Sequence, residues 1–289
     1  MQIIDAHIHA DFDSQWLKRI GYYCGVDFTS KGLTKEMESC NVTHCVSMGL
    51  RSLDLGMDIH APTPYETAEN LRLPDITYIG GINPFFAGDK YLGKTRECII
   101  SGRMKGLKIY LGYFPFPPDA PVYRTYYRLA EELNVPVVFH TGDTESSNGR
   151  LKYAHPLGID KIAVDYRRVK FLIAHLGNPW FTDAAEVVSK NENVYADLSG
   201  FVAGSNDYNY VLKYQLPRIK EAVEWIDNPS RLLYGSDWPL TPMKEYIEFI
   251  RTLFPNENNQ EKVFYKNTLQ FFNLGSNIYG LLPKRMFRT

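Results

Sequence analysis

The amino-acid sequence predicts an α/β protein, and within that class a closed (β/α)8 barrel. Three observations lead there. Eight short apolar runs alternate with longer amphipathic stretches along the chain. The runs are almost continuously apolar, as strands covered on both faces are, and do not alternate as half-exposed strands do. Four of them end on a metal-binding side chain, in the order His-x-His, His, His, Asp. In a parallel barrel the chemistry collects at the C-terminal ends of the strands.

The strand runs lie at 2–6, 44–48, 76–83, 104–110, 136–140, 170–175, 193–197 and 231–234. Helical patterns fall between them at 31–40, 89–101, 122–133, 159–166, 182–189, 210–225 and 241–253, with a last helix at 260–273. Short strands separated by helices make βαβ units. Eight of them favour closure over an open doubly wound sheet. No G-x-G-x-x-G follows any strand run, so the dinucleotide-binding alternative lacks its fingerprint. No repeat, low-complexity tract or Ser/Gly/Pro-rich linker divides the chain, and residues 1–289 read as a single domain.

Composition narrows the function classes. With 289 residues the chain has the length a barrel of this kind needs. A net charge of −1 leaves no basic field to gather nucleic acid or anionic lipid. The basic stretch 284–288 reads as a solvated tail and Arg51 as a surface arginine. No run approaches the ~20 apolar residues of a membrane span. The opening strand run, with no charged and apolar leader before it, predicts a chain without a signal peptide. Cys24, Cys40, Cys45 and Cys98 show no C-x-x-C spacing, which predicts free thiols in a reducing cytoplasm. The sequon Asn41-Val42-Thr43 carries no weight without secretion.

His7 and His9 stand two apart on one run, so their side chains point the same way from backbone positions about 6.6 Å apart. Imidazole arms converge from that separation onto one ion. His140 and His175 end the fifth and sixth runs, and Asp237 lies just past the eighth. Taken singly, each has a plain explanation. A His at a strand end is usually solvated, and Asp237 before Pro239 has the form of a helix N-cap. The conjunction at four strand ends makes ligation the better explanation. Imidazole with carboxylate suits Zn, Mn, Fe or Ni.

These residues carry a family resemblance. The strings Ile4-Asp5-Ala6-His7-Ile8-His9, Gly106-Leu107-Lys108-Ile109-Tyr110, Val138-Phe139-His140-Thr141-Gly142 and Tyr153-Ala154-His155-Pro156 belong to it. So do Leu172-Ile173-Ala174-His175-Leu176-Gly177, Asn193-Val194-Tyr195-Ala196-Asp197-Leu198-Ser199 and Leu233-Tyr234-Gly235-Ser236-Asp237-Trp238-Pro239. Together they resemble the amidohydrolase superfamily, in its amidohydrolase-2 branch of metal-dependent hydrolases with a TIM-like barrel. The resemblance implies metal ligation by His7, His9, His140 and Asp237, with His175 binding a second ion or polarising substrate. It implies one or two divalent ions, zinc first. Asp237 is implied as the group that takes the proton of the attacking water and returns it to the leaving group. Lys108 corresponds to a position that bridges two ions as a carboxylated lysine in some relatives and holds a substrate carboxylate in others; a plain wall lysine is the third reading. The absence of a Glu on the fourth run separates the chain from TatD-like nucleases. The chain leaves no room for the flanking β-sandwich of urease-type relatives.

The loops after the strands carry Tyr110, Trp180 and Trp238, with His155 in the loop after the fifth run. These are the candidate substrate-binding residues, and loop packing explains any single one of them as well. The resemblance implies a small-molecule substrate and allows a homodimer. Its leading activity is hydrolysis of an amide, ester or lactone carbonyl by metal-activated water. The alternative is metal-dependent, non-oxidative decarboxylation of an unsaturated or aromatic acid. A non-catalytic metal-binding barrel is the third class, and the intact ligand set argues against it.

Overall fold

The computed structural model describes residues 1–52, 59–60, 73, 75–202 and 210–275, with backbone alone at 51–52 and 59–60. The Arg51 side chain and the basic stretch 284–288 lie outside the described residues. All eight expected strands are present: β1 (Ile3–Ile8), β2 (Val42–Met48), β3 (Ile76–Gly81), β4 (Leu107–Tyr110), β5 (Val137–His140), β6 (Phe171–Ile173), β7 (Val194–Asp197) and β8 (Leu232–Leu233). Each pairs in parallel with the next. Closure falls to β1 and the segment that follows β8. Ala6 N–H donates to Tyr234 O (2.9 Å), Asp237 N–H to His7 O (2.8 Å) and His9 N–H to Trp238 O (2.7 Å).

The barrel interior is filled by Ile4, Ala6, Val46, Met48, Ile79, Val138, Leu172 and Leu233, and Phe271, Phe272 and Leu274 pack against them. The larger cluster, between strands and helices, takes Ile3, Ile8, Leu107, Ile109, Val137, Phe139, Phe171 and Ile173. Strict alternation along β1 would put His7 and His9 on the helix side with Ile3 and Asp5. It does not hold. Asp5 is paired with Cys45 and Ile8 with Ser47, three residues of β1 against two of β2. That slip of one residue brings His7 and His9 to the interior side and sends Ile8 outside. A bulge re-aims side chains in this way. Asp5 pins it, its Oδ1 accepting from His7 N–H (3.1 Å) and Ser236 N–H (3.0 Å).

Helices follow most strands. Two come after β1: α1 (Gln15–Tyr23), capped by Ser14, and α2 (Ser30–Cys40), capped by Thr29 and ended by left-handed Asn41. The pattern at 31–40 anticipated only α2. In α1 the exposed Tyr22 and Tyr23 blur the apolar stripe. Then come α3 (Asp89–Ile100), α4 (Pro121–Leu133), α5 (Leu157–Asp165), α6 (Phe181–Lys190), α7 (Leu216–Ile226) and α8 (Met243–Arg251). The helices expected at 210–225 and 260–273 both contain a π turn, Val211–Gln215 and Lys262–Lys266. The sixth strand run was expected to extend to residue 175. It stops at Ile173, because His175 (φ 59°) and Leu176 (φ 44°) turn left-handed.

His44 lies on β2, with Nε2 2.9 Å from Thr77 Oγ1 on β3 and Nδ1 unpartnered among the described residues. Burial lowers its pKa to about 4. The unfolded ring takes its proton near the ordinary 6.5, so this contribution to stability is intact above that pH and is lost as pH falls toward 4. The loss amounts to at most about 3 kcal/mol. Asp5 acts in the opposite sense, because burial raises its carboxyl to about 7, so the comparison must be between proteins. A His44→Gln variant should lose less thermal stability than wild type between pH 6.5 and 4. Parallel curves would contradict this.

Candidate metal centre at the barrel mouth

Alternation along the strands brings one more set of side chains inward at the C-terminal ends: Lys108 and Tyr110 on β4, His140 on β5 and Asp197 on β7. His7, His9 and Asp237 form one convergent ligand group, and His7, His175 and Asp197 a second. Asp237 Oδ1 is 3.1 Å from His9 Nε2 and 3.5 Å from His7 Nε2. A ligand atom from each of the three lies within 4.8 Å of the others. Neither His7 Nε2 nor Asp237 Oδ1 makes an aligned hydrogen bond among the described residues, although both are buried. Polar atoms left unsatisfied in a dry site are costly. Two imidazoles and a carboxylate converging without a shared proton are the donor set of a divalent transition metal. The residues fit such an ion.

Electrostatics agree. Burial, with the nearby Lys108 charge, lowers the His7 pKa to about 4, so this ring is neutral at physiological pH. Burial alone would raise the Asp237 carboxyl. The nearby His9, His175 and His7 rings outweigh it and hold the group ionised. Asp237 itself sits at φ 66°, where its N–H reaches His7 O.

The other expected ligands are close but differently engaged. The His175 ring centroid lies 5.0 Å from His7 and 5.1 Å from His140. His140 Nε2 donates to Asp143 O (2.8 Å), and His140 belongs to neither convergent ligand group among the described residues. Lys108 is fully buried, its Nζ without a hydrogen-bond partner among the described residues and 5.3 Å from the Tyr110 ring centroid. Burial lowers its pKa to about 8.

A cavity of about 640 Å³ opens over these groups. Its walls include Tyr110, Tyr113, Trp180, Trp16 and Leu240, with Lys108 and Asp237 below. Two of the four expected substrate-binding residues are not on it. Trp238 is buried against Phe12 and Phe28, where its Nε1–H donates to Glu36 (2.9 Å), so its ring packs between barrel and helices. His155 packs against the Trp180 ring, centroids 4.7 Å apart and planes tilted by 44°, and does not line the cavity.

Asp197 was not singled out from the sequence. It is fully buried, with Oδ2 2.8 Å from His7 Nδ1 and Oδ1 accepting from His175 N–H (2.9 Å) and Ser199 Oγ–H (2.5 Å). The signal was available: Asp197 ends an apolar run in the same manner as the ligand strings.

The amidohydrolase family model matches residues 52–274, and the chain belongs to that family, in its amidohydrolase-2 branch. Solved structures show the same barrel. An uncharacterised TIM-barrel protein of Bordetella bronchiseptica is 19% identical at a TM-score of 0.75, over 94% of this chain and 99% of that one. An Acinetobacter baumannii protein described as a probable 2-pyrone-4,6-dicarboxylic acid hydrolase, with citric acid bound, is 17% identical at 0.64, covering 94% and 100%. A 5-carboxyvanillate decarboxylase of Novosphingobium aromaticivorans, complexed with manganese and a nitrobenzoic acid, is 12% identical at 0.65, covering 94% and 96%. No curated protein matches the chain.

Gly200 approaches this centre with its backbone at φ 70°. A Cβ there would stand 2.9 Å from His175 Nδ1 and 3.0 Å from Asp237 Oδ2. A Gly200→Ala variant should lose about 1–2 kcal/mol by denaturant titration from the left-handed backbone alone. It should also bind added divalent metal more weakly, because Asp237 must shift. Unchanged stability together with unchanged metal affinity would contradict this.

Proposed function

We propose that the protein is a divalent-metal-dependent hydrolase acting on the carbonyl of a small amide, ester or lactone. The observation that carries the reading is the convergence of His7, His9 and Asp237, two of them with buried unsatisfied ligand atoms, at the floor of a cavity sized for a small molecule. One ion held by these three, zinc first, would supply Lewis acidity that polarises a carbonyl and acidifies water. Asp237, ionised before substrate arrives, takes the proton of the attacking water and returns it to the leaving oxygen or nitrogen. Lys108 Nζ and Tyr110 Oη, both buried and without a hydrogen-bond partner among the described residues, are donors for a substrate oxygen on the cavity wall. Tyr113, Trp16 and Trp180 shield that oxygen from bulk water and strengthen each contact made there.

A second reading, decarboxylation of an aromatic or unsaturated acid, is favoured by one feature. Lys108 has no carboxylate in salt-bridge contact among the described residues and faces an aromatic-walled cavity, as a holder of a substrate acid would. In that chemistry the C–C bond to the carboxylate breaks and a proton goes to the carbon left behind. The substrate is a small molecule in either case. Cys24, Cys40, Cys45 and Cys98 form no disulfide among the described residues.

Turnover of a lactone, ester, amide and aryl-acid panel in ¹⁸O-water separates the two. Hydrolysis should place ¹⁸O in the product acid and release no carbon dioxide. Asp237→Asn should lower kcat by about 10²–10⁴-fold. Carbon dioxide release without ¹⁸O incorporation, or an Asp237→Asn variant as fast as wild type, would overturn the hydrolytic reading.

A further inference from the structure

Asp197 touches two histidines of the site without facing the cavity, and the proton inventory around it is over-determined. A buried carboxylate accepts hydrogen bonds and has none to donate. Asp197 Oδ1 already accepts from three donors, His175 N–H, Ser199 N–H and Ser199 Oγ–H, the surroundings of a carboxylate. His7 Nδ1, 2.8 Å from Oδ2, must therefore carry the ring proton. Its Nε2 is left bare toward His9 and Asp237, as ligation requires.

The second histidine is fixed one step further on. Ser199 has a single hydroxyl proton, and Oγ spends it on Asp197 Oδ1 at 2.5 Å. Toward His175 Nδ1, 2.9 Å away, the same oxygen can then only accept. Ser199 O, a backbone carbonyl 3.3 Å from that nitrogen, can likewise only accept. His175 N–H meanwhile donates to Asp197 Oδ1 (2.9 Å), holding the left-handed turn that carries the ring.

We propose that Asp197 is a positioning residue that sets the Nδ1–H tautomer of both histidines, of His7 directly and of His175 through Ser199. His175 consequently presents a bare Nε2. While neutral it ligates a cation or takes a proton from water or substrate, and it does not hydrogen-bond a carbonyl oxygen as a donor. The donors for a developing oxyanion are then Lys108 and Tyr110. This deepens the hydrolytic reading by assigning His175 an accepting role. The tautomers stand without turnover, so the failure of one is distinguishable from the failure of the other.

The test is a long-range ¹H–¹⁵N correlation of ring nitrogens in the full chain labelled with ¹⁵N-histidine, zinc-loaded and after chelation, at a pH above the titration of both rings. His7→Gln and His175→Gln spectra assign the signals. Both rings should be protonated at Nδ1 in either state. Ser199→Ala leaves His175 Nδ1 only the 3.3 Å backbone carbonyl, so it should move part of the His175 population to the Nε2–H tautomer and leave that of His7 in place, which a merely structural serine would not do. Asp197→Asn should weaken zinc binding by about 10–100-fold, the usual cost of losing the partner of a ligating histidine. Wild-type His175 protonated at Nε2, or unmoved by Ser199→Ala, would overturn the proposal. The wild-type spectrum decides even if Asp197→Asn fails to fold.

Discussion

Closure of the barrel and assembly of the site depend on the same few hydrogen bonds. β8 is only two residues long, and most of the seam with β1 is made by the chain that follows it. Ala6 to Tyr234, Asp237 to His7 and His9 to Trp238 are the rungs of that seam. The second joins two candidate ligand residues across the seam, and the third joins His9 to the residue after Asp237. The bulge between Asp5 and Ile8 makes this possible. Without the extra residue on β1, His7 would face the helices and an apolar residue the cavity. A buried carboxylate pinning that bulge is a costly element to keep in a hydrophobic layer. It is retained where it turns two imidazoles inward.

A second buried carboxylate serves the opposite wall. Asp197 ties β7 to β1 through His7 and to the turn after β6 through His175. The site thus rests on paired supports, with Asp5 behind the backbone of His7 and Asp197 behind its ring. Left-handed residues recur where the chain must turn sharply beneath the cavity, at His175, Leu176 and Asp237. Strained non-glycine backbone of this kind persists only where surrounding contacts over-determine it. Here they do, through the N–H groups of His175 and Asp237.

Much of this was legible beforehand, for physical reasons. Buried parallel strands write themselves as apolar runs, so all eight were placed, and the candidate ligands sit at run ends because that is where the mouth lies. What escaped depended on contacts distant in sequence. The β1 bulge is set by Ser236, more than two hundred residues from Asp5. Asp197 reads as an unremarked strand end until His7 is found across the barrel. Trp238 looked like a pocket wall because it follows Asp237, but the left-handed Asp237 swings the chain, and Glu36 draws the indole outward. His140 stands at the expected strand end, and only the loop folding back through Asp143 shows one of its nitrogens already engaged. Residue identity locates a mouth, whereas hydrogen bonds between loops decide which atoms face it.

The central claim is that His7, His9 and Asp237 hold one divalent ion. Metal content per chain by plasma mass spectrometry tests it most directly, on wild type and on a His7→Ala/His9→Ala double variant shown by circular dichroism to be folded. One ion per chain in wild type, lost from the variant, is the predicted result. Equal metal in both proteins, or none in wild type after reloading with zinc or manganese, would contradict it.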